Sequence, residues 1–218
     1  GYCLGGTALA TLMAWLNKKS RHGQHMPVAH WTLLSSLIDF SRPGEIEAFI
    51  NEQSLATIES IMTSKGYLDK DHISWAFRML RPNSLIWHYV VHKYLYGETP
   101  PPFSVLYWNA DSTRLPRTLH SFCLRELYLK NQLTQKNAVA LDGIAIDMAL
   151  VKQPLYAVGA TEDHITPWRG TFKTLSLVKG PARYALSNSG HILGIINPPN
   201  GNSRHHFWAG DATGENDA

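Results

Sequence analysis

The sequence is poor in cysteine, in net charge and in long apolar runs, and each shortage excludes a class of protein. Two cysteines among 218 residues are too few for a disulfide framework, so the composition fits a reducing compartment. The formal net charge of +3 comes without a run of lysine or arginine, which argues against a nucleic-acid partner. No stretch approaches the roughly 18 consecutive apolar residues of a membrane-spanning helix, so no transmembrane segment is predicted.

The remaining composition is that of a globular protein. Hydrophobic residues make up 44% of the chain and charged residues 17%, so it can bury a substantial core in one large domain or two small ones. His22, His25 and His30 are irregularly spaced and have few cysteines or carboxylates nearby, which argues against a zinc site. We therefore predict neither a metal nor a cofactor.

The most informative pattern is G-x-C-x-G, formed by Gly1, Cys3 and Gly5. It is the nucleophile-elbow pattern with cysteine in the place of serine. In an elbow the nucleophile lies on a strained strand-to-helix turn, and we expect the flanking glycines to avoid collisions of a Cβ with the strand or the helix. Residues 6–19 have the composition of a helix that opens directly after Cys3. A buried packing role is the alternative for Cys3, and the glycines favour the nucleophile.

An acid and a histidine follow far downstream. A strand over 154–160 precedes Asp163, and a last strand over 182–187 precedes His191. Nucleophile, acid and histidine in this order are typical of the α/β-hydrolase fold, in which the three meet at the carboxyl edge of a parallel sheet. Glu162, Asp142 and Asp147 are rivals of Asp163, and the two aspartates are disfavoured because they come before the strand.

This order of residues predicts a specific chemistry. His191 would remove the proton of the Cys3 thiol, and Asp163 would fix the tautomer of the imidazole. The backbone N–H of Leu4 is one expected oxyanion donor, and the second should come from a loop that this chain lacks. Cys123 lies in an apolar helical context and is interpreted as structural.

Three segments make up the predicted domain organisation: 1–43 with the elbow, a helix and a core strand over 31–39; 44–118 as an inserted helical cap or lid; and 119–218 as the rest of the core. Helices are expected over 45–63, 84–96 and 119–133, with Thr166 as an N-cap before Pro167. The tail 209–218 is expected to be frayed. The chain starts at Gly1 without methionine and lacks the strand that should lead into the elbow, so we expect the C-terminal part of a longer protein.

Several motifs together resemble one known family. They lie at 1–7, 80–83, 108–113, 162–165 and 189–192. The stretch at 1–7 is similar to the lipase-like box of bacterial polyhydroxyalkanoate synthases, in which cysteine replaces the lipase serine. The resemblance extends over essentially the whole chain and is strongest to the class I type, which favours short-chain monomers.

The resemblance implies an acyltransferase that polymerises (R)-3-hydroxyacyl-coenzyme A thioesters into polyester and releases coenzyme A. Cys3 would carry the acyl chain, and His191 would act as the base. Asp163 would either assist His191 or activate the 3-hydroxyl of the incoming unit. The resemblance also implies a homodimer in the cytoplasm, at the surface of polymer granules. Coenzyme A would be a leaving group of the substrate and not a cofactor.

Two other functions stay open from the residues alone. A Cys-His-Asp hydrolase of thioesters or lactones would use the same three side chains. A non-catalytic granule-associated protein would have no reason to keep all three. The substrate-binding residues are unknown, and the candidates are Trp108, Asn109 and His164.

Overall fold

The computed structural model describes residues 1–20, 25–99, 111, 113–197 and 204–212. The chain divides into two units, one formed by Gly1–Ala48 with Arg125–Ala218 and the other by Phe49–Leu124. The first unit contains the central sheet and the candidate site. Among the described residues, no helix has both the length and the apolar character needed to cross a membrane.

The first unit is organised around a four-stranded mixed sheet. Its strands are β1 (Trp31–Leu34), β2 (Leu155–Ala160), β3 (Ala182–Ser187) and β4 (Phe207–Ala212), in that spatial order. β1, β2 and β3 are parallel, whereas β4 pairs with β3 in the antiparallel sense. The carboxyl ends of the three parallel strands therefore lie at the same edge of the sheet, which is where α/β proteins place their sites.

The predicted strands over 154–160 and 182–187 are confirmed by β2 and β3. The strand predicted over 31–39 is shorter, because Ser35 adopts a left-handed backbone with φ 44° that ends β1 at Leu34. Two predictions were wrong. The strand over 182–187 is not the last one, and within the tail 209–218 that was expected to fray, residues 209–212 belong to β4, whereas 213–218 lie outside the described residues. Backbone hydrogen bonds to β3 order β4, although its Phe207 and Trp208 side chains are exposed.

Helix α1 (Leu4–Ser20) begins directly after Cys3, as predicted. Two lysines lie in its last turn, where the helix dipole favours cations. Its buried residues recur at helical spacing along one face: Gly6, Thr7, Ala10, Met13, Ala14 and Asn17. The Thr7 hydroxyl donates to the Leu37 carbonyl at 2.7 Å, so the first turn of α1 is tied to the segment that follows β1. These contacts hold the cysteine end of the helix at the edge of the sheet.

Helix α2 (Trp168–Leu177) connects β2 to β3 and buries Gly170, Thr171 and Thr174. The predicted N-cap at Thr166 was wrong. The residue before the first helical turn is Pro167, and no side chain caps the helix there. The Thr166 hydroxyl is instead within hydrogen-bond distance of Ser35, Asp163 and His191. The Thr166 hydroxyl therefore contacts the loops around Asp163 and His191 and does not cap α2.

The second unit is largely helical. Its α-helices span Glu52–Lys65, Lys70–Leu80, His88–Val90 and Arg117–Phe122, and π-helical turns cover Asn83–Trp87 and Val91–Leu95. Helical structure continues past Phe122 through Cys123–Leu129. Leu55 and Met62 are completely buried in this unit, and Tyr67–Leu68 pairs with Leu115–Pro116 as a short antiparallel ladder.

The helices expected over 45–63, 84–96 and 119–133 are present with shifted bounds. A 3₁₀ turn at Gly44–Phe49 precedes the helix Glu52–Lys65, whose ends are set by the Asn51 side chain and by Gly66 at φ 75°. The second unit runs from residue 49 to residue 124, whereas the predicted cap ran from 44 to 118. Its role as a lid stays a prediction.

Candidate active site

Cys3 lies on a strained turn between the sheet and α1. Tyr2 forms a parallel bridge with Leu34 of β1, and the helix starts at Leu4. Cys3 itself has φ 52°, in the left-handed region that costs energy for a residue with a Cβ. Its N–H donates to the Leu34 carbonyl at 3.0 Å, and its carbonyl accepts from Gly6 N at 2.9 Å. These bonds fix the cysteine in the geometry that the elbow pattern predicts.

The glycines around the elbow have unequal roles. A Cβ on Gly1 would lie 2.6 Å from Gly6 Cα, so no side chain fits there. A Cβ on Gly6 would lie 1.9 Å from the Ser36 Oγ, which makes Gly6 the tightest position of the elbow. The steric role predicted for Gly5 was wrong, because a Cβ placed there meets no described heavy atom within 4 Å other than those of its chain neighbours and of the backbone of α1 itself. Gly5 is exposed, whereas Gly6 faces the sheet.

Asp163 lies in the loop after β2 and is held by donors on both carboxylate oxygens. Oδ1 accepts from the backbone N–H groups of Ile165 and Thr166 at 2.9 and 2.8 Å. Oδ2 lies 2.7 Å from the Thr166 hydroxyl and 2.7 Å from Nδ1 of His191. Burial alone would raise the pKa of Asp163, but these hydrogen bonds and the charge of His191 outweigh it and lower that pKa. The carboxylate is therefore ionised at neutral pH.

His191 lies in the loop after β3, and its side chain is 10% exposed. An ionised carboxylate can only accept, so Nδ1 of His191 carries the proton it shares with Asp163. Burial would lower the pKa of His191, but hydrogen bonds to Asp163 and to Cys3 raise it from 6.5 to about 9. Because Nδ1 is engaged by Asp163, Nε2 is the atom available to the Cys3 thiol. The structure thus brings Cys3, His191 and Asp163 together in the order that a nucleophile, a base and an acid require.

Tyr2 holds the backbone of His191 from the other side. Its hydroxyl donates to the His191 carbonyl at 3.1 Å, and the two ring centroids are 5.0 Å apart. Burial, together with the negative charges of Cys3 and Asp163, raises the pKa of Tyr2 above its usual range. The phenol therefore stays protonated and remains a donor at all physiological pH values.

The other predicted site residues fall in different places. Leu4 is the first residue of α1, where a helix leaves its N–H groups without intrahelical partners, so its amide is suited to an oxyanion. The carbonyl of His164 accepts from Glu45 N at 3.2 Å, which gives this residue a backbone role in the loop. Trp108 and Asn109 lie outside the described residues.

The rivals of Asp163 have other surroundings. Asp142, at φ 50°, precedes Gly143 in the turn between the short strands Ala140–Leu141 and Ile144–Ala145. The Asp147 side chain accepts from Ala149 N at 3.0 Å and caps a 3₁₀ turn. Glu162 N donates to the Ser189 carbonyl at 3.1 Å, which joins the two loops that carry Asp163 and His191.

Sequence reasoning missed Tyr2 and Thr166 as parts of this site. For Thr166 a signal existed: an aspartate followed three residues later by threonine is typical of a turn in which the carboxylate accepts from the next backbone N–H groups. For Tyr2 no local pattern predicts the contact with His191, because 189 residues separate the two. Among the described residues, no group of three His, Cys, Asp or Glu side chains is placed to hold a metal ion.

A strained cysteine after a sheet-edge turn, an acid after one parallel strand and a histidine after the next define an α/β-hydrolase site with a Cys-His-Asp constellation. The chain is 42% identical over 210 residues to the poly(3-hydroxyalkanoate) polymerase subunit PhaC of Rhizobium etli. The aligned region covers 96% of this chain and 32% of that protein. It is 38% identical over 220 residues to the subunit of the same name from Cupriavidus necator, covering 99% of this chain and 36% of that protein.

A poly(3-hydroxyalkanoate) polymerase of Methylorubrum extorquens is 39% identical over 96% of the chain and 34% of that protein. The chain is thus related over nearly its whole length to the poly(3-hydroxyalkanoate) polymerases, and it spans about a third of the length of these relatives. No protein-family model matches the sequence.

Among solved structures, a His-tagged serine hydrolase involved in carbazole degradation aligns with 91% of this chain and 57% of its own, at a TM-score of 0.32 and 13% identity. A likeness of that size carries no argument, and the fold assignment rests on the strand order and the elbow.

Proposed function

We propose that this chain supplies the nucleophile, base and acid of a poly(3-hydroxyalkanoate) synthase, which transfers (R)-3-hydroxyacyl groups from coenzyme A to a growing polyester. The observation that carries the proposal is the hydrogen-bonded sequence from Cys3 through His191 to Asp163, at the end of a strained elbow. The relatedness to poly(3-hydroxyalkanoate) polymerases supports the choice of substrate class. A thioester of coenzyme A is a fitting substrate for a cysteine, because the exchange of one thioester for another has little thermodynamic cost.

Because the pKa of His191 is raised to about 9, the proton that it shares with Cys3 lies on Nε2 before the reaction. In the first half of the proposed reaction, the Cys3 sulfur attacks the thioester carbonyl. The negative charge that develops on the carbonyl oxygen is met by the backbone N–H of Leu4. The carbon–sulfur bond to coenzyme A then breaks, and the imidazolium returns its proton to the departing thiolate. Cys3 is left as an acyl thioester, and free coenzyme A is the first product.

In the second half, the hydroxyl of another 3-hydroxyacyl chain attacks the Cys3 thioester. His191 takes the hydroxyl proton, the ester bond forms, and the bond between the carbonyl carbon and Cys3 breaks. The proton stays on Nε2 of His191, opposite the freed Cys3 sulfur, which restores the starting state. Each cycle lengthens the polyester by one unit.

The surroundings of Asp163 support its role as the partner of His191 over a direct role as base for the hydroxyl. Both carboxylate oxygens already accept two hydrogen bonds each, which fills the roughly four acceptor positions of a carboxylate. The Asp163 side chain is 0% exposed, so a substrate hydroxyl has no open approach to it within the first unit. We therefore assign the second proton transfer to His191 as well.

The wider setting follows from the same proposal. Homodimer formation, a place at the surface of polymer granules in the cytoplasm, and the absence of a cofactor remain predictions. A lid formed by the second unit would exclude water and favour ester formation over hydrolysis of the acyl-cysteine.

The test uses the complete gene product that contains this chain, beside its Cys3→Ala variant and a Cys123→Ala control. (R)-3-Hydroxybutyryl-coenzyme A is supplied, and released thiol and solvent-extractable polyester are quantified together. We expect thiol and polymer from the unchanged protein and from Cys123→Ala, and neither from Cys3→Ala. Thiol release with free 3-hydroxybutyrate as the only product would replace the synthase by a Cys-His-Asp hydrolase.

A further inference from the structure

We propose that Thr166 is a positioning residue, which clamps the carboxylate of Asp163 in the orientation that serves His191. Its effect on acyl transfer rests on the function proposed above, but its effect on the cysteine and histidine pair does not. The loop after β2 brings Thr166 to within hydrogen-bond distance of both residues, and Thr166 is 3% exposed. Its side chain therefore has no contact with bulk water to compete with these bonds.

The clamp has two points of attachment on one carboxylate. The Thr166 N–H donates to Oδ1 of Asp163 at 2.8 Å, and the Thr166 hydroxyl donates to Oδ2 at 2.7 Å. A carboxylate held at both oxygens by the same residue cannot rotate about its Cβ–Cγ bond without losing one of the two bonds. Oδ2 is thereby kept facing Nδ1 of His191, which lies 2.7 Å away.

The hydroxyl has one proton and several neighbours. Oγ1 lies 2.7 Å from Oδ2 of Asp163, 3.1 Å from the Ser35 carbonyl and 3.2 Å from Nδ1 of His191. The charged and nearer acceptor takes the proton, because hydrogen bonds to ionised groups are shorter and stronger than neutral ones. The oxygen of the same hydroxyl then faces Nδ1–H of His191 as a secondary acceptor. Thr166 thus contacts both members of the pair.

Ser35 is a rigid neighbour of the Thr166 hydroxyl. It is completely buried, ends β1 in a left-handed conformation with φ 44°, and donates its N–H to the Val158 carbonyl at 2.8 Å. This turn places the Ser35 carbonyl 3.1 Å from the Thr166 Oγ1, where it is the neutral rival of Asp163 for the single hydroxyl proton. A merely structural role would have the hydroxyl donate to the Ser35 carbonyl and not to Asp163.

The test measures the reactivity of Cys3, which needs no substrate. The rate of Cys3 alkylation by iodoacetamide near neutral pH is followed by mass spectrometry in the complete gene product. Thr166→Val keeps the shape of the side chain and removes the hydroxyl, whereas Thr166→Ser keeps the hydroxyl. Thr174→Val is the matched control, since the buried Thr174 hydroxyl in α2 has no hydrogen-bond partner among the described residues.

We expect Thr166→Val to slow Cys3 alkylation by about tenfold, the effect of losing one hydrogen bond to a charged group. Thr166→Ser should stay within about threefold of the unchanged protein, and Thr174→Val should match it. If Thr166→Val does not fold, Thr166→Ala takes its place, because it removes the hydroxyl without putting a methyl group against the Ser35 carbonyl. Alkylation at the unchanged rate in the folded Val or Ala variant would overturn the proposal.

Equal losses in Thr166→Ser and Thr166→Val would also overturn it, since they would show that the methyl group and not the hydroxyl matters. Thiol release from (R)-3-hydroxybutyryl-coenzyme A provides the second measurement. There we expect kcat to fall in Thr166→Val with little change in KM. A protein that makes no polymer but shows the alkylation pattern would refute the proposed function and leave the role of Thr166 intact.

Discussion

Nδ1 of His191 lies 2.7 Å from Oδ2 of Asp163, although 28 residues separate them in the chain. The two side chains meet because β2 and β3 are parallel neighbours in the sheet, so the loops after them leave from the same edge. Both side chains are buried and polar, and burying a polar group costs free energy unless its hydrogen bonds are formed. Its energetics should therefore be visible in stability as well as in activity.

The first prediction concerns the pH dependence of stability in Asp163→Asn. The folded pKa of His191, about 9, exceeds the ordinary value of 6.5. The stabilisation from the charged imidazole is therefore fully present below about pH 6.5 and is lost as the pH rises through about 9. Asp163→Asn should lower the free energy of unfolding by up to about 3 kcal/mol near pH 6, and by clearly less near pH 10.

Urea unfolding of both proteins across this pH range measures the difference. The lowered pKa of Asp163 acts at the other end, since its contribution is present above the ordinary carboxyl range and is lost only at lower pH. If Asp163→Asn destabilises the protein equally near pH 6 and pH 10, then Asp163 does not raise the pKa of His191.

The second prediction separates the two glycines that follow Cys3. In Gly6→Ala the new Cβ would lie 1.9 Å from Ser36 Oγ and 2.5 Å from Ser36 Cβ. Either α1 or the turn that follows β1 must therefore move. We expect a loss of about 3 kcal/mol or failure to fold. Gly5→Ala meets open space near the start of α1 and should be neutral or stabilising by up to about 1 kcal/mol.

Thermal unfolding of the two variants side by side checks this contrast. The variant that loses stability should also lose Cys3 reactivity, because the turn disturbed by the new Cβ is the turn that positions Cys3. Cys3 alkylation should stay normal in Gly5→Ala, and a Gly5→Ala variant as damaged as Gly6→Ala would contradict the assignment.

The third prediction concerns Tyr2→Phe. The substitution removes the hydroxyl that donates to the His191 carbonyl at 3.1 Å and keeps the ring that lies against the imidazole. We expect a loss of about 1 kcal/mol in the free energy of unfolding, the usual contribution of one hydrogen bond. Cys3 alkylation should slow by a few fold, as the loop of His191 becomes less fixed. Tyr184→Phe, which alters a buried hydroxyl bonded to Thr171, is a control that should leave Cys3 reactivity unchanged.

Much of the site could be predicted from local sequence, because its main elements are local. An elbow needs a few residues around Cys3, and a buried parallel strand shows as a short apolar run such as 154–160. The position of Asp163 directly after that run, and of His191 after the next one, then follows from the geometry of a parallel sheet.

The failures have physical causes that local patterns do not contain. Thr166 before a proline has the sequence of an N-cap, but Asp163 offers its hydroxyl a charged acceptor, which is stronger than a backbone N–H contact. β4 was missed because its order comes from pairing with β3, whereas Phe207 and Trp208 are exposed and show no buried face. Gly5 fits the pattern by residue type, and only the packing around Ser36 shows that Gly6 is the constrained position.

The central claim is that Cys3 carries the acyl group, and the most direct measurement is to trap that group. The complete gene product is mixed with (R)-3-hydroxybutyryl-coenzyme A, quenched in acid within the first turnovers, digested and analysed by mass spectrometry. We predict a 3-hydroxybutyryl thioester on the peptide that contains Cys3 and no adduct on Cys123, which is buried. In the His191→Ala variant, much less of the Cys3 thioester should accumulate. Release of coenzyme A with Cys3 unmodified, or an adduct on another residue, would contradict the account.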